Sequence, residues 1–131
     1  MKLDGIGIFV KDMGTMIRFY RDVLGFEITE PEDTGNVYLV KDGTLFMFYP
    51  RDEFEKFASR EFGYASGING HYEVALQVES FSAVDCAYAD ITAKGAVPVV
   101  APITCPWGQR SYYIADLEGN LIEIGSFNSG E

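Results

Sequence analysis

Histidine is nearly absent: the 131 residues hold one, His71. A two-histidine, one-carboxylate iron centre needs two, so that ligand set is excluded by count. A Ser–His nucleophile is unsupported as well, because no serine stands in an elbow motif and His71 has no evident partner. Cysteine is also scarce. Cys86 falls in a helical pattern and Cys105 just ahead of Pro106, with neither metal-type spacing nor a secretory context, so two free thiols are expected. Basic residues number 10 against 20 acidic ones, a formal net charge of −10. That balance argues against a nucleic-acid backbone or an anionic membrane as partner and favours the approach of cations. No apolar run is long enough to cross a bilayer. No signal peptide precedes the strand-like start, and the expected location is cytoplasmic. A phosphate-cradling loop is missing too, since Gly63 to Gly70 has no Lys and no flanking strand and helix.

Apolar side chains are plentiful at 47%, with 15% aromatic, enough to bury a core in one domain spanning 1–131. Leu3 to Val10 alternates, with Ile6, Ile8 and Val10 on one face and Gly5, Gly7 and Phe9 on the other. Asp12 is a helix N-cap, and Met16, Ile17, Tyr20, Val23 and Leu24 recur at helical spacing until Gly25 stops the helix. Phe26 to Glu30 reads as a short strand ended by Pro31. Asn36 to Lys41 and Thr44 to Tyr49 form a hairpin about Asp42-Gly43. Phe46 and Phe48 are expected to pack under the first helix.

After a short helix and Gly/Ser-rich linker over 51–69, the pattern returns. His71 to Val78 is a strand with His71, Glu73, Ala75 and Gln77 opposite Val74, Leu76 and Val78. Ser80 or Ser82 caps a helix carrying Val84, Ala87, Tyr88 and Ile91. Ala96 to Ala101 is a strand, and a hairpin turns at Asp116-Leu117-Glu118-Gly119-Asn120. In its last strand, Glu123 lies between Ile122 and Ile124, so the carboxylate faces away from an apolar layer. Val10 matches Val78, Tyr20 matches Tyr88, Gly25 matches Gly95 and Gly43 matches Gly119. The expected fold is α+β: two βαβββ modules, 1–50 and 70–127, whose curved mixed sheets enclose a shared cavity.

This duplication resembles the vicinal oxygen chelate superfamily of glyoxalases, extradiol dioxygenases and bleomycin and fosfomycin resistance proteins. The likeness rests on the doubled unit, on Arg18-Phe19-Tyr20-Arg21-Asp22-Val23-Leu24-Gly25-Phe26 and on Asp116 through Glu123. Trp107-Gly108 is similar to a pair common in the bleomycin-resistance branch. The resemblance implies that metal-dependent members carry ligands on the first and last strands of each module. Here the corresponding positions are Gly5, Met47, Glu73 and Glu123, of which only Glu123 keeps the usual ligand type.

The function expected is therefore metal-free binding or sequestration of a small aromatic or cationic molecule, with no cofactor. Phe9, Glu73, Gln77, Trp107 and Glu123 would line the pocket, and such proteins commonly pair as homodimers. Glu73 and Glu123 together suit an amine or guanidinium, or a proton-transfer base; bonds to nearby Arg, Tyr or backbone groups are the structural alternative. Arg110 is placed to pair with either one. The competing functional reading is a metal-dependent lyase, isomerase or dioxygenase using His71, Glu73 and Glu123. A third is a partner-binding domain whose pocket is merely filled.

Overall fold

A computed structural model describes residues 1–130, and the chain divides into two compact units, Met1–Tyr64 and Ala65 onward. The division falls inside the 51–69 stretch. In the first unit, β1 (Gly5–Val10), α1 (Met13–Arg18), β2 (Val37–Lys41), β3 (Thr44–Pro50) and α2 (Arg51–Ala58) follow in order. Its sheet runs β1-β3-β2, parallel between β1 and β3 and antiparallel between β2 and β3. Strand alternation sends Ile8, Val10, Phe46 and Phe48 into the core beneath α1, as expected of the two phenylalanines. Tyr20 is fully buried and meets the rings of Phe26, Phe46 and Phe48 at 5.1–5.5 Å, in the edge and tilted geometries that aromatic quadrupoles favour.

Two local features depart from the sequence reading. The helix expected through Leu24 is α-helical only to Arg18, where Asp12 caps it by accepting from the Thr15 amide at 3.0 Å. It continues as a π-helical turn over Phe19–Val23, with the Leu24 amide donating to the Phe19 carbonyl. The extra residue per turn rotates the face, so consecutive Phe19 and Tyr20 are both buried. Residues 26–30 form no strand. Phe26 and Ile28 are anchored in the core, and the Tyr38 amide on the edge of β2 donates to the Glu30 carboxylate at 2.8 Å. A side-chain acceptor thus occupies part of the edge where a fourth strand was expected.

The second unit contains β4 (Asn69–Gln77), α3 (Phe81–Ala93), β5 (Val97–Thr104), β6 (Arg110–Ala115) and β7 (Asn120–Ser126), in the sheet order β4-β7-β6-β5. Val84 and Ile91 of α3 pack with Tyr112, Ile114, Ile122 and Ile124 in its buried layer. Of the two serines proposed as caps, Ser80 takes the role: its hydroxyl accepts from the Ala83 amide at 3.2 Å. Ser80→Ala is expected to cost about 1 kcal/mol of stability in denaturant titration.

The Asp116–Asn120 turn is built around a buried carboxylate. Asp116 Oδ1 accepts from the amides of Glu118 and Asn120 at 2.9 and 3.0 Å, and Oδ2 from Asn120 Nδ2 at 2.8 Å. No helix among the described residues is long and apolar enough to cross a membrane.

The two strand registers repeat the duplication in space. Met47 lies beside Gly7 on one side and Tyr38 on the other. Glu123 lies in the same way between Ala75 and Tyr113.

Candidate functional site

Strand parity puts Glu73, Ala75 and Gln77 of β4, Glu123 of β7 and Tyr113 of β6 on the sheet face opposite α3. Glu123 is half-buried, flanked in sequence by the core residues Ile122 and Ile124, so its strand cannot turn it away. Both of its oxygens are held by neutral donors. The Tyr113 hydroxyl donates to Oε2 at 2.7 Å, and Gln109 Nε2 donates to Oε1 at 3.1 Å. Trp107 Nε1 in turn donates to Gln109 Oε1 at 2.9 Å. An indole N–H is a donor only, so this contact orients the amide with its nitrogen towards the carboxylate.

The reach of Gln109 depends on Gly125. A Cβ there would come within 2.8 Å of Gln109 Nε2 and 3.1 Å of the Arg110 carbonyl. The gap in β7 is thus the notch through which a turn residue reaches Glu123. Trp107 itself is 67% exposed, its ring available beside the carboxylate system.

The Tyr113 phenol titrates far above its ordinary value. Its bond to Glu123 is the main cause, followed by burial and then by the neighbouring Glu73 carboxylate. The fully buried hydroxyl of Tyr112, on the α3 side, is raised chiefly by burial and further by Asp90 and Tyr88. For a group whose folded pKa exceeds its unfolded value, the fold prefers the protonated form. The resulting stability is complete below about pH 10, the ordinary phenol value, and is lost as pH rises towards the folded value. Alkaline titration followed by ultraviolet difference spectra is expected to show Tyr112 and Tyr113 ionising well above the ordinary phenol range. Tyr113→Phe should remove one of these late steps.

The sequence-derived site residues fare unequally. Glu73, Gln77 and Glu123 share this face, with Gln77 exposed at the end of β4, level with Gly125. Phe9 belongs to the first unit, where its ring lies 4.4 Å from that of Phe54 on α2. His71 is exposed, and the β4–β7 register shifts between Asn69 and Glu73. That irregularity interrupts the alternation that would have set His71 and Glu73 side by side. Arg110 pairs with neither glutamate. It lies on the α3 side, where Nε and Nη2 donate to Asp85 Oδ1 at 3.0 and 2.8 Å and Nη1 donates to Thr104. Neither Gln109 nor Tyr113 is among the residues that the sequence singles out. The one signal for them was Gly125 on the same face as Glu123.

The donor set does not fit the divalent ion implied by the resemblance. Gly5 has no donor, and Met47 offers a soft thioether unsuited to hard divalent ions. Among the described residues no three His, Cys, Asp or Glu side chains form a metal-holding group. His71, Glu73 and Glu123 therefore do not assemble as the three-ligand cluster. A carboxylate on this open face can instead accept hydrogen bonds from a ligand or take up a proton.

The sequence model of the Glyoxalase/Bleomycin resistance protein/Dioxygenase superfamily matches residues 2–124. A virulence protein of Salmonella typhimurium is 27% identical over 129 residues, covering 96% of this chain and 84% of that one. Among solved structures, a glyoxalase/bleomycin resistance protein/dioxygenase family enzyme from Burkholderia phytofirmans matches with a TM-score of 0.81. It is 24% identical, with 97% and 99% of the two chains covered. A lactoylglutathione lyase from Agrobacterium tumefaciens matches at TM-score 0.72 and 22% identity, over 95% and 92% of the chains. At these identities the structural likenesses bear on fold. The chain belongs to the glyoxalase/bleomycin resistance protein/dioxygenase superfamily.

Proposed function

We propose that this protein binds a small organic cation, an amine, amidinium or guanidinium, at Glu123 without a metal and without transforming it. One observation carries the reading. Among the described residues, neither Glu73 nor Glu123 forms an ion pair with Lys, Arg or His, and the donors that hold Glu123, Tyr113 and Gln109, are both neutral. Two carboxylates around one phenol repel each other, and a ligand cation relieves that repulsion. The formal charge of −10 adds long-range attraction of the same sign. The exposed Trp107 ring offers a face for a planar or cationic group.

In this reading the protein is a cytoplasmic homodimer, and sedimentation equilibrium tests the dimer by mass. Titrating phenylguanidinium while following Trp107, the one tryptophan, tests the binding. A saturable change in emission is expected, with benzoate giving none. Equal responses to the cation and the anion would defeat the proposal.

A further inference from the structure

Asn69-Gly70 is the one asparagine–glycine pair in the chain. Asparagine is chemically labile, and a glycine after it gives the next backbone nitrogen freedom to approach its side chain. The fold leaves that freedom in place. β4 is an edge strand, and its register on β7 passes from Asn69, beside Asn120, straight to Glu73, beside Leu121. Gly70, His71 and Tyr72 thus stand outside the β4–β7 ladder as a bulge. Gly70 and His71 are both exposed, so water reaches them. His71, the single histidine, follows Gly70 directly, and an imidazole takes up and returns a proton near neutral pH. The other asparagines lack this setting. None precedes a glycine; Asn120 is buried against Asp116, and Asn128 is tied to the Glu79 carbonyl and the Gly130 amide.

We infer that Asn69 is a self-modification site, at which the Gly70 nitrogen displaces the side-chain amide nitrogen with His71 as the base. His71 takes the Gly70 N–H proton as that nitrogen bonds to Asn69 Cγ. The Cγ–Nδ2 bond breaks, and Nδ2 leaves as ammonia carrying the same proton. Water then opens the cyclic imide at either carbonyl, adding OH to carbon and H to nitrogen. The product is aspartate or isoaspartate at position 69, with no electrons gained or lost. Asn69 Nδ2 donates to the Gly119 carbonyl at 3.1 Å. An oxygen in its place is repelled by that carbonyl, and isoaspartate lengthens the backbone, so the start of β4 loosens from the turn. None of this rests on cation binding at Glu123.

The test is to hold the whole chain in mildly alkaline heavy-oxygen water and map its peptides by mass spectrometry, with an isoaspartate methyltransferase assay. Heavy oxygen is expected at position 69, with isoaspartate among the products, while Asn36, Asn120 and Asn128 stay unlabelled. Gly70→Ala should slow the labelling about tenfold. Its Cβ would lie 3.8 Å from Leu121 Cδ1, an ordinary contact, so the fold is kept. His71→Gln should slow it roughly two- to tenfold.

No label at position 69, or label at Asn128 just as fast, would overturn the inference. An undiminished rate in Gly70→Ala would do so too, because direct hydrolysis needs no backbone nitrogen. An unchanged rate in His71→Gln would remove the imidazole from the step.

Discussion

Glu123→Gln is expected to weaken phenylguanidinium binding by about 1.5–3 kcal/mol, roughly ten- to over a hundredfold, with the fold intact. The amide keeps the size of the carboxylate, and Ile122 and Ile124 hold the strand in place from the other face. What changes is charge and acceptor count. Tyr113 and Gln109 both donate to this group, and an amide presents an N–H to one of them. Part of the loss therefore comes from rearranged neighbours. Tyr113→Phe separates the two contributions: it removes a donor but no charge, and it should cost far less affinity than Glu123→Gln. Equal effects from both variants would mean that the hydrogen-bond framework, rather than the negative charge, holds the ligand.

The second large effect falls on the turn before β7. Gly119 has φ +88°, and a Cβ there would collide with the Gly67 carbonyl. Gly119→Ala is expected to destabilise the second unit by about 2–5 kcal/mol, combining backbone strain with a contact that cannot relax. The Gly119 carbonyl also accepts from the backbone amide and side-chain amide of Asn69, at 2.9 and 3.1 Å. Moving the turn therefore loosens the start of β4. Hydrogen exchange should show faster amides at Asn69 and along β7, with β1 and β3 unchanged. Protection lost evenly across both units would contradict this local account.

Patterns that repeat over several residues were legible in the sequence. The alternation of Ile122, Glu123 and Ile124 predicted the buried and open faces of β7, and the matched Val10 and Val78 marked the doubled unit. The Asp116-to-Asn120 turn and the packing of Phe46 and Phe48 on Tyr20 follow from equally local rules.

Features that depend on one long-range contact were not legible. Residues 26–30 carry strand-like composition, yet the Glu30 carboxylate takes the Tyr38 amide, an interaction invisible to periodicity. The π-helical turn depends on how Phe19 and Tyr20 share one core. Gln109 sits in a turn, where alternation assigns no face, and it reaches Glu123 only because Gly125 lacks a side chain. Arg110 was misassigned for the converse reason. Its strand parity pointed to the helix side, and Asp85 on α3 was there to receive it.

Calorimetric titration of chelator-treated protein, first with phenylguanidinium and then separately with Zn²⁺ and Mn²⁺, tests the central claim most directly. The expected result is saturable one-to-one binding of the organic cation that weakens at least about tenfold in Glu123→Gln, with neither metal bound tightly. Tight stoichiometric uptake of either metal, together with indifference to the organic cation, would contradict it.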